Sequence, residues 1–211
     1  MTLGGVAMIA IMALSRAPSP SSATAEEPRS LTAVQIEPVR AGDRGRVLAP
    51  TIDDMAAAGL TRPEELGAQA LSLISYPWQD LGYELRFLPA KEGLRGLTYP
   101  YEQRIEIYVR PSDTPESLAH VVAHEVGHVI DVVLNSGESR VRWLTARGLD
   151  ADYRWWPTSG ESDFATGAGD FAECFAVWQV DAPSYSEIDA TCADDLGLLR
   201  ELATASRASA P

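Results

Sequence analysis

Residues 113–137 read DTPESLAHVVAHEVGHVIDVVLNSG, and this stretch decides the fold. Asp113 or Thr114 can cap a helix with a side-chain oxygen, and Pro115 follows at an early helical position, where its fixed φ fits and its missing N–H is not needed. From there Leu118, Val121, Val122, Val126, Val129, Ile130, Val133 and Leu134 recur at intervals that make one helical face apolar. Asn135-Ser136-Gly137 ends the run. A long helix with a buried side is expected, and the rest of the domain must supply what covers it.

Upstream, Gly82 to Leu88 alternates Tyr83, Leu85 and Phe87 with Glu84 and Arg86, and Arg104 to Val109 alternates Ile105, Ile107 and Val109 with Glu106 and Tyr108. Period-two alternation predicts half-buried strands. Gly93, Gly96 and Tyr99-Pro100 punctuate a third possible strand at Leu94 to Thr98, so a small antiparallel meander is the simplest arrangement. Before it, Thr61-Arg62-Pro63-Glu64 opens an amphipathic helix carried by Leu66, Ala70, Leu71, Leu73 and Ile74. Downstream, an irregular stretch with Trp143, Trp155 and Trp156 leads to a helix from about Asp170 to Val180, stopped by Asp181-Ala182-Pro183. The expected class is α+β: a small antiparallel sheet packed on the long helix, followed by a mostly helical C-terminal part.

Composition bounds the function. The 211 residues are 45% hydrophobic and 22% charged, which suits one soluble globular domain at residues 51–211. With 30 acidic against 17 basic residues the formal charge is −13, so no nucleic-acid partner is expected, because that grip depends on Lys and Arg displacing counterions. An anionic membrane surface is disfavoured for the same reason. Leu3 to Leu14 is an apolar run too short for the roughly 20 residues of a spanning helix. With Ala23-Thr24-Ala25 as a small-x-small cleavage pattern, residues 1–25 read as a signal peptide and residues 26–50 as a poorly ordered lead-in. A secreted protein without stable membrane association after signal removal is expected. Outside the cytosol Cys174 and Cys192 can pair or stay two independent apolar side chains, and sequence alone leaves both readings open.

Within the long helix stands His124-Glu125-Val126-Gly127-His128, an H-E-x-x-H motif. Its histidines lie one turn apart, about 6 Å along the axis, so both imidazoles reach one ion. Zn2+ suits that pair, and Glu125 between them faces the water that zinc binds, as general base for hydrolysis of an amide. His120 lies eight residues, about 12 Å, before His128 and cannot share their ion while the helix is intact. It reads as a surface histidine or one that supports the site from behind. A catalytic zinc takes a third protein ligand, and no histidine follows His128. In Gly169-Asp170-Phe171-Ala172-Glu173 the acids Asp170 and Glu173 share a helix face; one is expected to bind zinc and the other to orient a zinc-bound histidine. Asp163 is next in line. Asp131 reads as a solvated helix acid, Arg142 and Arg147 as candidate cleft cations, and the glycines of Ser159 to Gly169 as a flexible loop.

From Gly82 to Val180 the chain resembles the gluzincin clan of zinc metallopeptidases, to which thermolysin and the anthrax lethal factor peptidase domain belong. The resemblance rests on the strands, the H-E-x-x-H helix and the later Asp170-Phe171-Ala172-Glu173-Cys174-Phe175-Ala176 segment. It implies a zincin-like fold and a secreted zinc endopeptidase acting on a peptide or protein substrate. In those families the third ligand is typically Glu; aligned through Ala172 to Ala176 that position falls on Gly169, a departure that leaves Asp170 and Glu173 as alternatives. Two other functions stay open: a zinc-binding module of the same fold without turnover, and a zinc amidase acting on cell-wall peptide.

Overall fold

A computed structural model describes residues 9–12, 62–158 and 161–205. The expected lead-in at 26–50, the domain start at 51, and the expected export segment apart from residues 9–12 lie outside the described residues. Along the chain run β1 (Ile9–Met12), α1 (Arg62–Ser72), β2 (Glu84–Pro89), β3 (Leu94–Tyr99), β4 (Arg104–Val109), α2 (Pro115–Leu134), α3 (Gly137–Ala146), α4 (Gly167–Val180) and α5 (Leu196–Thr204). The architecture is α+β, as expected.

Helix α2 starts where its sequence directs. The Thr114 hydroxyl accepts from the Ser117 amide, and the Ser117 hydroxyl accepts from the Thr114 amide, so two of the donors left over at a helix start are satisfied reciprocally. By length and hydropathy α2 matches a membrane span, but the same apolarity is used inside the protein: nearly all of Leu118 to Asp131 is buried. One side lies under β3 and β4, and the other runs along α4. At the α4 crossing a Cβ on Gly127 would stand 2.7 Å from the Ala172 Cα. Only glycine lets the two backbones come this close, and that approach brings Glu173 of α4 within reach of His120 and His124 on α2.

The sheet corrects one expectation. Its strand order is β1-β3-β4-β2, with β3 antiparallel to β4 but β2 parallel to it. It is mixed, not an antiparallel meander. Alternation assigns each residue to a face and leaves the choice of neighbour open. The centre goes to β4, whose Ile105, Ile107, Tyr108 and Val109 are all buried. Parallel pairing aligns Leu85 with Ile105 and Phe87 with Ile107 on the core face, and sets Glu84 opposite Arg104 and Arg86 opposite Glu106 on the other, opposite charges that favour this register. On β3, Gly96 and Thr98 oppose Ile107 and Ile105 and so face α2. Residues Ile9–Met12 pair antiparallel along the outer edge of β3, Ile9 opposite Thr98.

The stretch read as irregular contains α3, capped by Ser136, whose hydroxyl accepts from the Ser139 amide. Its Trp143 is fully buried and edge-on to Phe171, 5.3 Å between centroids, so this tryptophan belongs to the core. Beyond α4 the chain returns as a strap to α5, tied by a disulfide between Cys174 and Cys192 (Cα atoms 5.0 Å apart). Of the two sequence readings, the paired one is the one formed.

Candidate metal centre

Three donor atoms converge beside α2. His124 Nε2 and His128 Nε2 are 3.0 Å apart, and Asp163 Oδ2 lies 3.0 Å from the first and 2.7 Å from the second. All three residues are buried. Two imidazole nitrogens cannot face each other at this distance as bare lone pairs; a hydrogen on one of them or a metal ion must lie between them. Four-coordinate zinc with bonds of 2.0 to 2.1 Å places its ligands about 3.3 Å apart, so a small opening of this cluster admits the ion. The remaining oxygen of Asp163 and Oε1 of Glu125 are buried without hydrogen-bond partners, as expected of groups that face a ligand site. Two nitrogens and a carboxylate oxygen are a donor set that fits Zn2+.

The acid that joins the two histidine nitrogens is Asp163; Asp170 and Glu173, between which the third donor was expected, are engaged elsewhere. Asp170 is fully buried among donors: Arg147 Nε at 2.9 Å and Nη2 at 3.1 Å, Trp143 Nε1 at 3.0 Å and Ser186 Oγ at 2.7 Å. A carboxylate already neutralised by a guanidinium has no charge left for a metal. Arg147 also reaches the Ala190 and Thr191 carbonyls, both at 2.7 Å, so this pair pins the strap. Arg147→Met should cost about 3–5 kcal/mol, because it leaves a buried charge unpaired, while the metal donors stay in place; urea denaturation read beside zinc stoichiometry checks both.

Glu173 takes the other role foreseen for this pair of acids. Its Oε1 accepts from His124 Nδ1 at 2.6 Å, which assigns the proton to Nδ1 and leaves the Nε2 lone pair for an ion. Its Oε2 accepts from the Tyr185 amide at 2.7 Å.

Asp163 is held by a turn. Its carbonyl accepts from the Thr166 amide (2.8 Å) and hydroxyl (2.7 Å), and that hydroxyl in turn accepts from the Gly169 amide as the cap of α4. A Cβ on Gly169 would lie 2.1 Å from the Asp163 carbonyl oxygen, and one on Gly167 would strike Trp155. Gly167 and Gly169, read as part of a flexible loop, stand in the first turn of α4 and serve close packing; Ser159 and Gly160 lie outside the described residues. Asp131, expected in solvent, is buried instead, holding Arg140 through two bonds (3.0 and 3.1 Å) and accepting from Trp155 Nε1 at 2.9 Å. Arg142 pairs with Glu201 on the surface, away from the donors.

Glu125 is fully buried beneath β3, where the Thr98 hydroxyl donates to its Oε2 at 2.7 Å. A Cβ on Gly96 would stand 2.3 Å from Oε1, so glycine there makes room for this carboxylate. Burial raises the Glu125 pKa, against the lowering pull of His128, His124 and Thr98. Gly96, read as a turn signal, lies inside β3, and the sequence marks neither it nor Thr98 as a site residue, because their role depends on strand register.

The charges of the metal-free cluster are linked. Burial opposes an imidazolium at His124, but Asp163 and Glu173 outweigh it and hold its pKa well above 6.5. Burial likewise opposes ionisation of Glu173, yet hydrogen bonds from His120 and His124 lower it from 4.5 to about 2. Asp163 is depressed in the same way by His124 and His128. A depressed carboxylate contributes stability that is complete above its ordinary pKa and lost as pH falls through the folded value. The raised His124 contributes below 6.5 and loses that contribution as pH rises through its folded value. Metal-free protein should therefore lose urea resistance as pH falls from 4.5 toward 2, and Glu173→Gln should flatten that decline; an unchanged slope would deny the linkage.

Set against protein-family models, curated proteins and solved structures, the chain matches none.

Proposed function

We propose that this protein is an exported zinc-dependent endopeptidase of zincin-like fold, with His124, His128 and Asp163 as metal ligands and Glu125 as general base. The observation that carries this reading is the convergence of those three donors on one point beside the H-E-x-x-H carboxylate. Zinc bound there supplies Lewis acidity for a carbonyl and a water that ionises near neutral pH. Glu125, held by Thr98 with one oxygen free, accepts a proton from the attacking water and returns it to the leaving amine. Its raised pKa suits both halves of that transfer. Glu173 keeps His124 in the ligating tautomer.

A polypeptide substrate is favoured by the outer edge of β3. There an extended apolar segment of the chain itself, Ile9–Met12, already pairs antiparallel with Leu94–Thr98, Ile9 opposite Thr98. If that segment leaves with a signal peptide, the same backbone groups are free to pair with a substrate strand. The disulfide is compatible with export. The gluzincin resemblance supports the metal and the base, whereas the third ligand departs from it: an Asp from the loop before α4 in place of a Glu on the helix.

The test is incubation of zinc-loaded protein with a diverse peptide library and with cell-wall peptide fragments, products being read by mass spectrometry. Cleavage of ordinary peptides that stops with a chelator and returns with zinc is expected. Stoichiometric zinc with nothing cut would favour a binding module, and cleavage of cell-wall fragments alone would favour an amidase.

A further inference from the structure

His120 lies one turn before His124 on α2, is only 6% exposed, and takes no part in the donor cluster. Its Nε2 stands 3.2 Å from both oxygens of Glu173, so the ring straddles the carboxylate. The Tyr185 ring packs edge-on against it, 5.2 Å between centroids, and the Tyr185 amide donates to the same carboxylate at 2.7 Å. We infer that His120 is a positioning residue of the metal centre, acting through Glu173 on His124. This inference rests on the metal-site reading above and deepens it.

A glutamate holding one imidazole through one oxygen is free to swing about its terminal torsion, and the imidazole ring turns with it. Glu173 is denied that freedom. His124 claims Oε1 at 2.6 Å, the Tyr185 amide claims Oε2, and His120 bridges the two oxygens from the same helix as His124. Positions 120 and 124 are neighbours on one helical face, so a single carboxylate on α4 can reach both rings, a geometry that α2 and α4 set by their close approach at Gly127. To donate to Glu173, His120 must carry its proton on Nε2, which accounts for the buried, unpartnered Nδ1. The outcome is a shared acceptor, Glu173, to which His120 and His124 both donate, and it fixes the rotation and tautomer of a ligand before the metal arrives, the arrangement by which atoms behind a ligand tune affinity.

The experiment is zinc affinity of the full chain, measured by competition with a chromophoric chelator. His120→Leu should weaken binding about tenfold, within the range for loss of a partner behind a ligand. His120→Gln, whose amide N–H can still reach the carboxylate, should recover most of that affinity, while His120→Asn, too short to reach, should not. In a Glu173→Gln background His120→Leu should add little further loss, since the two act in series. The visible spectrum of the cobalt-loaded protein should change with Leu and revert with Gln. The inference is overturned if His120→Leu binds within twofold of the parent, if Gln loses as much as Asn, or if the losses with Glu173→Gln add. If His120→Leu does not fold, the contrast between Gln and Asn decides. Zinc binding that is absent in the parent, or that survives His128→Ala, overturns the metal reading and this inference together; binding lost in His128→Ala but untouched at position 120 overturns this inference alone.

Discussion

Glu125→Gln is expected to keep zinc and to lower kcat on any cleaved peptide by about 10²–10⁴-fold, the contribution of a positioned acid–base group. The substitution is nearly isosteric, and its amide oxygen can still accept the hydroxyl of Thr98, so the packing under β3 survives. What disappears is the ability to accept a proton. Stability should hold or rise slightly, because Glu125 is a fully buried carboxylate whose ionised form burial disfavours. Parallel assays of metal content, urea midpoint and turnover separate these effects. A variant that retains zinc and most of its activity would remove Glu125 from the chemistry.

Asp163→Ala should cost more than 100-fold in zinc affinity, comparable to His128→Ala, because it deletes a donor atom rather than one of the groups behind a donor. Glu173→Gln should fall between these and the parent: Gln retains an acceptor for His124 Nδ1 but loses the charge that strengthens that bond. Asp170→Asn should leave zinc affinity nearly unchanged while lowering the urea midpoint, since Asp170 answers to Arg147, Trp143 and Ser186. The order of the four variants is the test. Asp163→Ala with normal zinc binding, or Asp170→Asn as damaging as His128→Ala, would reassign the third ligand.

Much of the site was legible in the sequence because its decisive features are local. The spacing of His124 and His128, the cap at Thr114 and Pro115, and the apolar face of α2 each depend on residues within a few turns of one helix. The strand at Arg104–Val109 follows in the same way from period-two alternation. Helix α3 lies inside the stretch read as irregular, although the Ser136 cap was available as a signal.

The sequence by itself determined that this protein has a capped amphipathic helix presenting two histidines and a glutamate to one side, with an acid to be found downstream. Tertiary structure alone decided which acid. Asp163, Asp170 and Glu173 are chemically alike, and what separates them is the partner each meets: the facing Nε2 atoms of His124 and His128 for Asp163, Arg147 for Asp170, His120 and the Nδ1 side of His124 for Glu173. Those meetings depend on how closely α2 and α4 approach at Gly127, on the turn that Thr166 and Gly169 allow, and on the register of β3. Spacing along a chain controls contacts a few residues apart. A buried charge takes its role from partners tens of residues away, because only the packed interior brings them within hydrogen-bonding distance and excludes the water that would otherwise screen them.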